Sequence, residues 1–329
     1  MAATLSHILS PVRTELDEFS RRLKTSMIAD VPLVNLIAKY LLRTKGKQVR
    51  PMLVLLAAQA CGGVTDTTYN AALLVELLHT ATLVHDDVID EADTRRGFAS
   101  IRALWKNKAG VLMGDYLLAK GLLLTVESKQ FHLLEITSNA VRRMSEGELY
   151  QLQKSRQLNT DEAAYFKIIA DKTASLLATC TEMGAASVSQ NGENSVQREM
   201  LRDYGESVGI AFQIRDDLFD YEDVQSIIGK PVGNDLANRK LTLPLLYTLE
   251  QIDAKEAKRI RSLVKSKKMS QSERKLIINL VSATGGLLYA KNKAEEYATR
   301  ARNTISSLPD SDAKQALIDF SHFVIDREK

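Results

Sequence analysis

Ala71-Ala72-Leu73-Leu74-Val75-Glu76-Leu77-Leu78-His79-Thr80-Ala81-Thr82-Leu83-Val84-His85-Asp86-Asp87-Val88-Ile89-Asp90 decides the fold. It is a long apolar run interrupted at helical spacing, with His79, Thr82, Asp86 and Asp90 falling three, four and four residues apart. Positions so spaced share one face of a helix. A polar stripe ending in carboxylates, amid Leu and Val, points into a cavity more naturally than onto a surface.

Working outward, Thr65 or Asp66 caps this helix, and Pro51 opens an earlier one that Gly62-Gly63 stops. Thr94–Gly97, Asn191–Asn194 and Lys230–Asn234 read as polar breaks, while Gly285-Gly286 and Pro309 punctuate the last helices. No proline stands between Pro51 and Pro231, a span that β or α/β chains seldom leave unpunctuated. Leu201, Tyr204, Val208, Ala211 and Phe212 repeat at three and four, and no alternating strand is evident. The expectation is an all-α protein of ten or more helices, with residues 1–329 forming a single domain.

Composition narrows the function. A net charge of +3 gives no case for nucleic acid as the main ligand, so any anion must meet local Lys and Arg clusters. Two separated cysteines, Cys61 and Cys180, supply neither a disulfide framework nor a zinc site. Met1–Arg13 lacks a secretory pattern, and Met52–Ala60 and Ala71–Val84 are too short or too interrupted to span a membrane. A cytoplasmic protein is expected.

Asp86-Asp87-Val88-Ile89-Asp90 has a counterpart in Asp216-Asp217-Leu218-Phe219-Asp220. Each segment projects three carboxylates from one helix, an arrangement that repels itself until a cation joins it. Oxygen ligands without Cys or paired His suit Mg²⁺, which leaves much of its coordination shell to water and phosphate. Gln213, Asp217 and Asp220 make a second polar stripe. One such segment alone reads equally well as a solvated acidic face; two embedded in apolar helix do not. Glu76-Leu77-Leu78-His79 raises a di-iron bundle, but that needs a second Glu-x-x-His, which the chain lacks.

With these segments in place the sequence resembles the trans-isoprenyl diphosphate synthases, and within them the long-chain polyprenyl members. The resemblance runs from about Lys45 to Pro244 through Gly46-Lys47-Gln48-Val49-Arg50-Pro51, Glu76–Arg96, Gly114–Leu118, Ser145-Glu146-Gly147-Glu148, Lys172-Thr173, Phe212–Asp220, Gly229–Asp235 and Lys240–Pro244. Lys45 departs from the glycine common there. The resemblance implies a helical bundle around a central cavity, in which isopentenyl diphosphate is joined head to tail to an allylic diphosphate. It implies that Asp86, Asp87 and Asp90, with Asp216, Asp217 and Asp220, hold Mg²⁺, three ions when substrate is bound. Arg95, Lys172, Lys230 and Lys240 would contact the allylic diphosphate, and Lys47, Arg50, His79 and Arg96 the isopentenyl diphosphate. Thr173 and Gln213 would aim oxygen dipoles at the developing allyl cation. The released diphosphate would take the final proton, so no side-chain nucleophile is required.

Several of these residues carry plainer readings. Arg95-Arg96 could favour a helix C-terminus, His79 could be a core histidine, and Glu148 and Gln151 could be structural. The basic run from Lys258 to Lys275 reads first as a solvated helix face and second as a weak contact with an anionic membrane during product release. Product length is expected from what lies before Asp86. Leu77, Leu78, Ala81 and Thr82 include no aromatic floor, and Gly121 leaves room, with Leu122, Leu123 or Phe131 closing the far end. Missing bulk implies a long product of about eight isoprene units, of the kind found in quinone side chains. A farnesyl or geranylgeranyl synthase and a non-catalytic partner subunit are the alternatives. A terpene cyclase would lack the site of Lys47, Arg50 and Arg96, and the family resemblance implies a homodimer.

Overall fold

A computed structural model describes residues 4–44, 46–157, 159–189, 196–222, 234–266 and 269–327. Lys230, Asn191–Asn194, and Lys230–Asn234 as far as residue 233 lie outside the described residues. In chain order, α1 is Leu5–Ile8, α2 Arg13–Ser26, α3 Pro32–Arg43, α4 Val49–Cys61, α5 Asp66–Ile89, α6 Ile101–Glu127 and α7 Phe131–Gln157. They are followed by α8 Glu162–Ile169, α9 Ser175–Ala186, α10 Val196–Glu222, α11 Asn234–Ala237, α12 Leu243–Gln251, α13 Ala254–Lys265, α14 Gln271–Ala283, α15 Gly286–Thr304 and α16 Asp312–Asp326. The fold is all-α, with more than ten helices.

One correction concerns the break at Thr94–Gly97. It is a small antiparallel hairpin, β1 (Thr94–Arg95) with β2 (Phe98–Ala99), pairing Thr94 with Ala99 and Arg95 with Phe98. Arg96 and Gly97 at its tip both have positive φ, 53° and 80°, as a two-residue hairpin turn with mirror-image geometry requires. Strands of two residues carry no readable alternation, which is why the sequence shows only a loop.

Helix α5 starts where the caps place it. Thr65 accepts from the Thr68 backbone N–H while the Thr68 hydroxyl accepts from that of Thr65, a reciprocal cap that contributes about 1 kcal/mol. Ala71, Leu74, Leu77, Leu78 and Ala81 are buried on several sides of α5, between α6, α4 and α9. A helix apolar nearly all round belongs in a core. Helix α4 is of the same kind, with Met52 to Ala58 all buried. It begins at Val49, so Pro51 sits within its first turn rather than at its first position. Cys61 and Cys180 are free, and burial pushes their thiols up to about 11 and about 12, leaving them inert.

Helix α10 ties two apolar clusters together. Leu201, Tyr204, Val208 and Ala211 join the cluster around α4, α5 and α9. Ile210, Ile214, Leu218 and Tyr221 join the one around α12, α14 and α15. The aspartates of α10 therefore stand on a helix fixed along its length, facing the end of α5.

Helix α6 is long and apolar enough to cross a membrane by length and composition, and one-third of its apolar window is buried within the fold. Leu104, Val111, Leu112, Leu123 and Val126 remain exposed along it.

Candidate active site

Three carboxylates sit at the C-terminal end of α5, the negative pole of its dipole, where like charge is least welcome. The protein supplies one counter-ion. Arg95, held by the hairpin, donates Nε to Asp87 Oδ1 at 2.7 Å, and Asp87 is buried at 3% exposure. Asp86 and Asp90 are exposed and lack a cation within ion-pair distance among the described residues. Desolvation raises Asp86 above the ordinary carboxylate range; nearby Lys172 and Arg95 oppose the shift, and Glu148 and Asp90 reinforce it.

The facing carboxylates on α10 are built differently. Asp217 is buried, and both of its oxygens accept hydrogen bonds: Oδ2 from the Tyr165 hydroxyl at 2.7 Å, Oδ1 from Gln213 Nε2 at 2.8 Å. Thr173 Oγ1 donates to Gln213 Oε1 at 2.8 Å, so Thr173, Gln213, Asp217 and Tyr165 form one chain. Burial, with the charge of Asp235 added, pushes the Asp217 carboxyl up to about 7. Asp216 is ion-paired to Arg327, and Asp220 Oδ2 accepts from the Asp235 backbone N–H at 2.8 Å. Asp235 is itself raised by burial and lies 3.7 Å from Lys240 Nζ.

Lys172 and Thr173 project from a single π-helical turn, Ala170–Ala174, of the kind that recurs at functional sites. Its backbone is braced from α7. A Cβ on Gly147 would lie 2.9 Å from Asp171 Cβ and 3.1 Å from Lys172 N, so only glycine lets α7 approach so closely. Asp171 accepts from Arg143 Nε at 3.0 Å and Lys167 Nζ at 2.8 Å. Lys172 Nζ then reaches Glu148 at 2.5 Å.

A cavity of about 1050 Å³ joins much of this. Lys47, Arg50, His79, Arg95 and Arg96 line it along with Asp87, Asp216, Asp220 and Asp235. Its basic wall is unbalanced. Arg50 Nε and His79 Nε2 are buried without a hydrogen-bond partner among the described residues. Burial, together with the charges of Arg50, Arg96 and Arg95, holds His79 well below its usual pKa, so it is neutral. An orphaned Arg50 N–H and an imidazole nitrogen, beside the guanidinium groups of Arg95 and Arg96, fit an anion with several oxygens. Arg96, at φ 53°, lies across Gly46, where a Cβ would come within 2.5 Å of its guanidinium.

The chain matches the family model described as polyprenyl synthetase over residues 31–281. The chain belongs to the polyprenyl synthetase family. It is 35% identical over 315 residues to an octaprenyl diphosphate synthase of Haemophilus influenzae, covering 95% of this chain and 94% of that one. It is 36% identical to an all-trans-nonaprenyl-diphosphate synthase of Rhodobacter capsulatus, covering 97% of each. A crystal structure of a polyprenyl synthase from Caulobacter crescentus, complexed with calcium and isoprenyl diphosphate, superposes with a TM-score of 0.89 at 32% identity over 99% of both chains. As a polyprenyl synthetase the chain is a prenyltransferase, and the calcium in its structural neighbour accords with divalent-metal dependence.

The carboxylates fit divalent cations by donor chemistry, being hard oxygens only, with Asp86 and Asp90 open to the solvent side. No group of three His, Cys, Asp or Glu side chains converges on one point among the described residues. Asp87 and Asp216 are turned onto arginines instead.

Lys172, Thr173, Gln213, Lys240, Asp86 and Asp90 do not line the cavity itself. Of the chain-length candidates, Leu77 lines it, whereas Leu78 and Ala81 are buried away from it and Thr82 Oγ1 is bonded to the His79 carbonyl at 2.8 Å. Gly121 packs against α5, 3.0 Å separating its would-be Cβ from Leu74 Cδ1. Leu122 is half-buried, and Leu123 and Phe131 are exposed. Tyr165, Asp235 and Arg327 join the site beyond the residues whose roles the sequence implies. Asp235 lies in the Gly229–Asp235 stretch and could have been read there; Tyr165 and Arg327 reach the site only through tertiary packing.

Proposed function

We propose that the enzyme joins isopentenyl diphosphate to an allylic diphosphate and repeats the step to a long product of about eight units, with no aromatic among Leu77, Leu78, Ala81 and Thr82 to stop it. One observation carries the reading. One cavity is lined by Arg50, His79, Arg95 and Arg96 together with aspartates from both α5 and α10. Together with Lys47 and Arg96, Arg50 Nε and His79 Nε2, which have no hydrogen-bond partner among the described residues, suit isopentenyl diphosphate bound through arginine forks and a neutral histidine.

The six aspartates would hold Mg²⁺, three ions with substrate bound, which would neutralise charge growing on the leaving diphosphate. Arg95, Lys172, Lys230 and Lys240 would add fixed positive charge to the same oxygens. Thr173 donates to Gln213 yet keeps its oxygen lone pairs, a dipole suited to facing an allyl cation. Two carboxylates bonded in place before substrate arrives, Asp87 and Asp217, give the site its preorganisation.

The whole chain would act as one catalytic unit in the cytoplasm, since α10 belongs to both cores. The exposed apolar face of α6, continued by Phe131, Leu149 and Leu152 on α7, suits pairing with a second copy as a homodimer. The basic face of α13 and α14 suits weak contact with an anionic membrane holding the product.

Incubation with Mg²⁺, labelled isopentenyl diphosphate and farnesyl diphosphate, followed by sizing of the products, tests this reading. A ladder ending near eight units and lost in EDTA supports it. A stop at four units removes the long-chain claim, and no extension of any allylic primer brings forward the partner-subunit alternative. Leu77→Phe, which adds aromatic bulk to the cavity wall, should shorten the ladder.

A further inference from the structure

Among the described residues, Arg327, the C-cap of α16, is the one cavity arginine that the expected diphosphate sites leave without a role. Its guanidinium lies 3.8 Å from the Phe212 ring centroid and 5.5 Å from that of Phe219. It donates Nη2 to the Phe212 carbonyl at 3.2 Å and forms an ion pair with Asp216. Its Nε is buried with no hydrogen-bond partner among the described residues. Next to Asp216, Arg215 stacks over Phe219 at 4.4 Å and donates to the Arg327 carbonyl at 3.3 Å. The backbone at the end of α16 is thereby fixed on α10, with the guanidinium laid along the carboxylate edge of the cavity.

We propose that Arg327 is a resident counter-ion that competes with the divalent cation for Asp216. The inference rests on the reading of Asp216 as a metal ligand. A cation arriving at Asp216 must displace or share the carboxylate with a guanidinium that is only 17% exposed. Two cations on one carboxylate repel, and a half-buried guanidinium deprived of its partner, with Arg215 beside it, is costly to leave unpaired. An anionic diphosphate in the same cavity would give Arg327 a new partner. The consequence is a bias against metal loading at α10 before substrate is present, set by α16.

The test uses the full chain and Mn²⁺, followed by its free-ion resonance without any diphosphate. Arg327→Met keeps the apolar stem over Phe212 and removes the charge, and it should bind Mn²⁺ about tenfold more tightly, a gain of about 1.4 kcal/mol. Arg327→Lys keeps the charge and should bind within about threefold of the unaltered chain. Asp216→Asn should weaken Mn²⁺ binding and abolish the gain when combined with Arg327→Met. Thermal unfolding establishes that each variant is folded, and Arg327→Lys against Arg327→Met separates charge from packing. If Asp216→Asn weakens binding but Arg327→Met does not tighten it, the counter-ion role is overturned while Asp216 stands as a ligand. If Asp216→Asn leaves Mn²⁺ affinity unchanged, the ligand reading falls and takes the inference with it.

Discussion

The ends of α5 and α10 carry the same five-residue spacing of aspartates and are chemically unlike. At α5 only the middle carboxylate is buried, its counter-ion is a charged guanidinium from a hairpin, and Asp86 and Asp90 stand open. At α10 the middle carboxylate is also buried, but it is held by neutral donors, the Tyr165 hydroxyl and the Gln213 amide. A guanidinium cancels charge, whereas a phenol only solvates it. Burial and the charge of Asp235 push the Asp217 carboxyl up to about 7 against those two hydrogen bonds, while Asp87 shares its burial with a full positive charge. Equal spacing in sequence makes two faces; what packs on each face decides its chemistry.

The largest test of this contrast is on catalysis. Asp86→Asn and Asp217→Asn, together or singly, should lower kcat by about a thousandfold or more, as loss of charge-stabilising groups does elsewhere. Loss confined to one helix would mean that only one end of the comparison takes part.

Next comes the basic wall. Arg50→Ala should raise KM for isopentenyl diphosphate by about a hundredfold or more, with a smaller change for the allylic substrate. Equal effects on both substrates would merge the two subsites.

The third concerns pH. Asp217 is raised from 3.8 to about 7 in the folded protein, so between those values the native state holds a proton that the unfolded state has lost. Stability from this group is thus greatest below about pH 4 and declines as pH rises towards 7, by a few kcal/mol in order of magnitude. Denaturant unfolding at pH 5 and pH 8, in EDTA, should show Asp217→Asn relatively more stable at pH 8 than the unaltered chain. An unchanged difference between the two proteins across that window would remove the distinction between the two ends.

The smallest effect expected is at the brace. Gly147→Ala forces a Cβ against Asp171 and the Lys172 amide, and should destabilise the fold by about 1–3 kcal/mol. A lowered melting temperature with loss of kcat would tie the π-turn to positioning of Lys172; wild-type behaviour would show that the turn yields freely.

Much of this was legible beforehand. Helical periodicity and scarce proline gave the fold class, the Thr65 cap and Gly62 set the bounds of α4 and α5, and the paired aspartates named both walls. What stayed hidden is long-range or backbone-level. Tyr165 meets Asp217 across 52 positions, and Arg327 meets Asp216 across 111. No local pattern links residues so far apart. The hairpin at Thr94–Ala99 is too short to alternate, and a π-turn at Ala170–Ala174 looks in sequence like continuous helix. Of the chain-length candidates only Leu77 lines the cavity among the described residues, because α5 is buried on several sides at once and Leu78 and Ala81 pack elsewhere.

The central claim is that the two aspartate ends serve one site. A double-mutant cycle on kcat, with Asp86→Asn, Asp217→Asn and the pair, tests it most directly. If both ends act on one leaving diphosphate, the double variant should be little worse than the weaker single variant, since groups that work as a unit are far from additive. Losses that multiply in full would place the two carboxylate sets in independent roles and contradict the account.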